Sequence, residues 1–279
     1  MNRLIVLLGI YILSFSLAAE QEPKQLAQQK IVALTPHLVE MLYAIGAGDR
    51  IVGTVEYADY PEAAKNILRI GSYTGVQIEK IIELDPQLIV ASRSTNKEDD
   101  LKKLESLGYS IFYTEPKQIS DISKDVIRLG KVTGLNANAN TVANELQQRY
   151  LSIIKRYQNT REVKVFYQLW HDPMRTLGPN SWISSMINDC RGKNIFHDAS
   201  SDYPVVSLES VVMRDPEVIV IPHHSGTALA KKEIWQNWQE IDAVANQRMV
   251  VIHGDILHRF TPRALDGLEQ LCQAIDSAR

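Results

Sequence analysis

The chain has 279 residues, long enough for one large or two ordinary domains with real cores. Its 45% hydrophobic and 23% charged content is that of an ordinary soluble globular protein once the N-terminus is set aside. A net charge of −3 supplies no bulk field for nucleic acid, so no nucleic-acid partner is expected.

Residues 1–19 read as a signal peptide. Arg3 supplies the positive start, residues 4–17 the apolar run, and cleavage is expected near Ala18 or Ala19. The run is short for a membrane span, and no later stretch qualifies. No cysteine follows it for lipid attachment, so the mature protein is expected to be exported, and periplasmic in a Gram-negative source. After a polar linker, residues 31–34 read as a strand, and Thr35 caps a helix that opens on Pro36 and runs to Gly46. Residues 51–55 form a second strand, ending in the polar-aromatic loop 56–61. The glycine-flanked loop 71–75 carries an exposed aromatic, Tyr73. A short helix, the Asp85-Pro86 stop and the strand 88–91 follow. An amphipathic helix over 97–107 and a strand over 110–113 complete a βαβα order, hence a parallel sheet with helices on both faces.

At mid-chain, 118–157 reads as two consecutive helices. Ile119, Ile122, Val126, Leu129 and Val132 share one face of the first, which Gly134 ends. Asn136 or Asn138 can cap the second, which continues to about Tyr157 with Val142, Leu146, Tyr150, Ile153 and Ile154 on its inner stripe. About 20 helical residues span about 30 Å. With strands and helices alternating on both sides, this helix suits a rigid spine joining two lobes; the alternative is one more crossover in a single sheet.

The second half repeats the βα alternation. Strands over 163–169, 218–221 and 249–252 end in Trp170-His171-Asp172-Pro173, His223-His224 and His253-Gly254-Asp255. Helices are expected over 182–188 and 233–238, with a closing helix to about 278. Segments 76–90 and 206–220 resemble each other, with Glu79/Glu209, Asp85/Asp215 and Pro86/Pro216 at identical offsets. Matched units in both halves argue for two similar α/β lobes: a signal peptide 1–19, an N-terminal lobe 20–133, a linking helix 134–158 and a C-terminal lobe 159–279. Cys190 and Cys272 form an exported pair, expected to be bridged; two separately buried thiols are the alternative.

In open parallel sheets ligands bind beyond the carboxyl ends of strands. Tyr57, Trp170, His171, His223, His224 and His253 fall there, with His258-Arg259-Phe260 just downstream, while Tyr73 and Tyr203 precede the two repeated helices. Such flat side chains suit an extended planar ligand. No histidine pair has the spacing of a zinc helix, so no protein metal site is expected; His171 or His223 contacting the metal of a bound chelate is the other reading. There is no Gly-x-Ser-x-Gly elbow, no Gly-x-Gly-x-x-Gly after the first strand and no phosphate loop, so no enzyme is expected. Glu79 and Glu209 sit near helix starts, where a carboxylate is favoured by the dipole. As a matched pair they also suit a two-fold partner with paired arginine pockets.

The stretches IVALTPHLVEMLYAIGAGDRIVGTVEYADYP, GSYTGVQIEKIIELDPQLIVA and YPVVSLESVVMRDPEVIVI resemble the helical-backbone class of periplasmic substrate-binding proteins. That class serves ATP-driven importers of cobalamin, haem and iron–siderophore chelates. The resemblance covers essentially the whole mature chain. It is strongest to the cobalamin-binding members, through residues 56–61, Cys190 and Cys272 with Asn194-Ile195-Phe196, and Asp255 followed by Arg259 and Pro262-Arg263. It implies two Rossmann-like lobes with parallel sheets, joined by a long rigid α-helix, with a ligand cleft between them. It further implies that Tyr57, Tyr73, Trp170, Tyr203 and Asp255 line the cobalamin site; Phe260, from its place past the last strand, is a further ligand-binding candidate. Glu79 and Glu209 would dock a monomeric binding protein on the permease dimer of an ABC importer in the inner membrane. Cobalamin is then the transported ligand rather than a cofactor. Two features depart from the cobalamin pattern: tyrosines at 73 and 203 where tryptophan is expected, and His171, His223 and His224. They leave haem or a ferric siderophore as the alternative ligand, and an exported enzyme as the third reading.

Overall fold

The computed structural model describes residue 26, residues 28–224 and residues 232–279. The signal-peptide reading and its cleavage near Ala18 or Ala19 lie outside the described residues. By contacts the chain divides into two compact units. One holds the described residues up to Glu115 together with Lys124–Ala143, the other Pro116–Ser123 and Asn144–Arg279.

The first unit is built on the buried strand β1 (Ile31–Ala33), the helix α1 (Pro36–Ala44) and the strand β2 (Ile51–Thr54). A hairpin, β3 (Gly71–Ser72) with β4 (Gly75–Val76), leads into α2 (Ile78–Leu84). The strand β5 (Leu88–Ser92), the helix α3 (Glu98–Ser106) and the strand β6 (Ile111–Thr114) follow. The sheet runs β2-β1-β5-β6, parallel throughout. Its central strands read as unbroken apolar runs because both faces are covered. Val32, Ile89 and Ala91 pack with Ile70, Ile81, Leu101 and Leu104 from the flanking segments. Thr35 takes the cap position before α1 with extended backbone, but its side chain makes no capping bond. Its hydroxyl lies 3.5 Å from His37 Nε2 instead.

The helices α4 (Ser120–Thr133) and α5 (Asn136–Tyr157) are continuous and each is shared between the two units. Gly134 turns the chain between them at φ 72°, as expected of a helix end. Neither asparagine caps α5 from outside, contrary to the sequence reading: the helix already includes both Asn136 and Asn138. The turn is too tight for a longer lead-in. A Cβ on Gly130 would stand 2.2 Å from Ala139 Cβ, and the Asn138 side-chain amide is used to donate to the carbonyl of Ile45 at 3.2 Å.

The second unit opens on β7 (Val163–Tyr167), then the short hairpin β8 (Trp170–His171) and β9 (Met174–Arg175). Next come α6 (Trp182–Asp189), β10 (Gly192–Asn194), α7 (Leu208–Arg214) and β11 (Val218–His223). A 3₁₀ turn, Lys232–Trp235, stands where the sequence reading placed a short helix. The remaining elements are α8 (Asp242–Ala245), β12 (Met249–His253), α9 (Gly254–His258) and α10 (Ala264–Asp276). The sheet order is β10-β7-β11-β12, again parallel. A bond between Cys190 and Cys272 joins the end of α6 to α10 inside the core. The expected bridge is therefore present. The repeated segments take the same backbone path. In each, a seven-residue helix ends on a left-handed Asp, Asp85 at φ 47° and Asp215 at φ 46°, before a proline and a buried strand.

Candidate functional site

In the first unit two tyrosines are carried out into solvent by loops that are themselves firmly held. Tyr57 lies three residues past the end of β2 in the left-handed region, φ 64°, and is 65% exposed. A non-glycine residue there is strained unless its surroundings over-determine it. The neighbouring Ala58 is buried, and the Arg69 guanidinium donates to the carbonyls of Ala58, Ala64 and Ile67 at 2.8, 3.1 and 2.9 Å. That clamp fixes the loop from beneath. Tyr73 tops the β3–β4 hairpin and is 78% exposed. Gly71 is needed beside it: at φ 156°, a Cβ would sit 2.5 Å from the Gly75 carbonyl oxygen. Asp100 holds the base of the hairpin by accepting from Val76 N–H at 2.9 Å.

In the second unit the loops bearing Trp170 and Tyr203 are brought together. Trp170, 54% exposed, sits on β8 and donates from its indole N–H to the Asp172 carbonyl at 3.0 Å. Tyr203, 49% exposed, belongs to a segment that runs along β9. Thr176 N–H donates to Pro204, Gly178 N–H to Asp202, and Arg175 to the Tyr203 carbonyl. This approach needs a glycine at 178, where a Cβ would overlap the Ser201 carbonyl oxygen at 1.9 Å. The His171 ring lies against Trp170, centroids 5.6 Å apart. Phe260 is half-buried and stacks on Trp182 at 4.2 Å.

Asp255 stands in the first turn of α9, with three cationic or imidazole partners. Arg259 meets its Oδ1 at 3.1 Å, His224 Nδ1 lies 3.4 Å from the same oxygen, and His253 Nδ1 4.0 Å from the other. The hydrogen bond from His224 comes first, then the Arg259 charge, in holding this carboxyl below the usual carboxylate range against its burial. His223 and His253 end adjacent strands in register, rings edge to face at 6.3 Å. His223 Nδ1 is buried with no hydrogen-bond partner among the described residues. Among those residues no cluster of three or more His, Cys, Asp and Glu could hold a metal ion.

The sequence reading passed over one member of this neighbourhood and left another without a role. Tyr167 counted only as a strand residue, while His258 stood among the polar residues just past the strand ends without an assigned role; they hydrogen-bond each other at 2.7 Å. Nothing local to Tyr167 advertises this, since its partner is 91 residues away. The Asp255–Arg259 pair, by contrast, has helical i,i+4 spacing and was open to pattern reading. Glu79 and Glu209 are both exposed in the first turns of α2 and α7. Glu209 is held below the ordinary range by its own backbone N–H and by the Ser207 hydroxyl.

Residues 31–256 match the family model described as periplasmic binding protein. A vitamin B12-binding protein of Vibrio vulnificus is 34% identical over 272 residues, covering 95% of each chain. The crystal structure of the periplasmic vitamin B12-binding protein of Vibrio cholerae superposes with a TM-score of 0.81 at 34% identity, covering 90% of this chain and 98% of that one. A periplasmic haem-binding protein of Pseudomonas aeruginosa shares the fold, with a TM-score of 0.76 at 21% identity and coverage of 88% and 92%.

Proposed function

The chain belongs to the periplasmic binding protein family, and from that premise we propose that it captures cobalamin or a related corrinoid and delivers it to an ABC importer. The reading is carried by the four large aromatics, Tyr57, Tyr73, Trp170 and Tyr203, left exposed on braced loops beyond or beside the sheets. Exposing rings of this size costs apolar area with no internal return, so a partner surface is implied. The similarity to vitamin B12-binding relatives supplies the ligand class. Each unit contributes its own set. Tyr57 and Tyr73 of the first unit stack on the corrin or its nucleotide tail, Trp170 and Tyr203 of the second unit are its aromatic contacts there, and Asp255 accepts from a polar edge. Phe260 acts beside them through its stack on Trp182. No catalytic step is assigned.

The remaining parts of the reading follow from the same premise. Residues 1–19 direct export and are removed near Ala18 or Ala19. The stretch 134–158 serves as the linking helix, a role supported by α5 being a single helix shared by both units. The mature monomer docks on the importer's permease dimer through Glu79 and Glu209.

The test is titration calorimetry of the mature protein with cyanocobalamin, haemin and a ferric siderophore. Cyanocobalamin should bind, and Trp170→Ala or Tyr73→Ala should weaken it by about tenfold, the range expected for loss of one aromatic contact. Binding of haemin with no response to cyanocobalamin would reject the corrinoid. That second reading is favoured by two observations, the exposed His171 beside Trp170 and the buried Nδ1 of His223, which has no hydrogen-bond partner among the described residues. Its signature would be a Soret shift lost in His171→Ala or His223→Ala.

A further inference from the structure

Four side chains of the second unit form one unbroken hydrogen-bonded line. Tyr167 Oη lies 2.7 Å from His258 Nε2, His258 Nδ1 lies 3.2 Å from His224 Nε2, and His224 Nδ1 lies 3.4 Å from Asp255 Oδ1. The line starts at a fully buried phenol at the end of β7 and finishes at a carboxylate in the first turn of α9.

Its two ends have fixed characters. Deep burial keeps the Tyr167 phenol protonated. Asp255, ionised, only accepts. A neutral imidazole has one donor and one acceptor nitrogen. With His224 neutral, its proton sits on Nδ1 to reach Asp255, which leaves Nε2 to accept from His258 Nδ1. His258 Nε2 in turn accepts the Tyr167 hydroxyl. This arrangement supplies a donor and an acceptor for each of the three bonds of the line, and its donors all point toward Asp255.

The rings are also placed from outside the line. His224 lies against Gly254, where any Cβ would stand 2.2 Å from His224 Cε1. Only glycine leaves room for the imidazole in that position. Arg259 and His253 flank the carboxylate, and His223 packs edge-on to His253 from the neighbouring strand.

We infer that this line is a positioning device, in which the buried Tyr167 and the half-buried His258 orient His224 and, through it, the Asp255 carboxylate for the ligand. Tyr167 and His258 are thus determinants of binding although neither was read as a ligand contact. The inference rests on the reading that Asp255 meets the ligand.

The test is a double-mutant cycle on the mature protein with cyanocobalamin as the probe. Tyr167→Phe removes one hydroxyl at the far end and should weaken binding by about tenfold, as for loss of one hydrogen bond from a polar network. In an Asp255→Ala background the same change should cost nothing further. Gly254→Ala, which crowds the His224 ring and alters no titratable group, should match the loss. Imidazole ¹⁵N spectra should show His224 as the Nδ1–H form, and a mixture of forms in Tyr167→Phe. Wild-type affinity in a folded Tyr167→Phe protein, or equal losses with and without Asp255, would overturn the inference. Full affinity in Asp255→Ala alone would instead sink the ligand reading beneath it.

Discussion

A single ring should make the stability of this fold fall with pH. His258 is pushed down to about 4, first by burial and then by its neighbour His224, so the folded chain holds it neutral. The unfolded chain titrates it near 6.5. Stability from this group is therefore complete above about 6.5 and drains away as pH falls toward about 4, because only the unfolded state takes up the proton. The full loss is on the order of 3 kcal/mol. Asp255, shifted below the carboxylate range, adds a loss of the same sign only at still lower pH. Thermal melts between pH 7 and pH 4.5 should show a steady fall in Tm. That slope should flatten in His258→Asn even though the variant starts lower. A wild-type melt independent of pH over this range would contradict the assignment. The Asp255–Arg259 pair carries a local i,i+4 spacing that a pattern can hold, although the sequence reading placed no helix there, whereas the Tyr167–His258 bond depends on which strand end meets which helix.

At the scale of elements, pattern reading found what periodicity encodes and lost what pairing decides. The stripe Ile119, Ile122, Val126, Leu129 marks α4 to within a residue of its observed start. β10, a Gly-Lys-Asn run with no strand propensity, exists because Gly192 to Asn194 pair with Val163 to Val165. The strand expected over 163–169 stops at Tyr167, where Trp170 and His171 leave to pair with Met174 and Arg175. The two repeats were legible because each Asp-Pro forbids further helix, and both segments do turn there. The disulfide ties two elements whose sequence separation is 82 residues. Opening a loop of that length should cost roughly 4 kcal/mol in the chain-entropy model. Cys190→Ala with Cys272→Ala should melt well below the oxidised protein, by about 10 °C. Reductant should reproduce the drop in wild type and leave the double variant unmoved. Equal melting of all forms would remove the bridge from the account of stability.

For the molecule as a whole, the repeat offers a partner two copies of one surface feature. Glu79 and Glu209 occupy the same turn of equivalent helices, and both are exposed. The copies differ one turn further on, where Glu83 in the first unit corresponds to Met213, 82% exposed, in the second. A carboxylate presented to an arginine pocket gains a charge-assisted, often bidentate contact. Two such contacts on one partner act together, so losing either costs far more than its own affinity. Uptake of labelled cyanocobalamin into proteoliposomes should therefore fall severalfold with Glu79→Ala or Glu209→Ala alone and vanish in the pair. Calorimetric affinity for the free ligand should not change, because neither carboxylate is assigned to the ligand. Normal uptake by the double variant would refute the docking role and leave the ligand assignment untouched. Loss of ligand binding in the double variant would instead place these carboxylates at the ligand, and the two failures are separable in one pair of measurements.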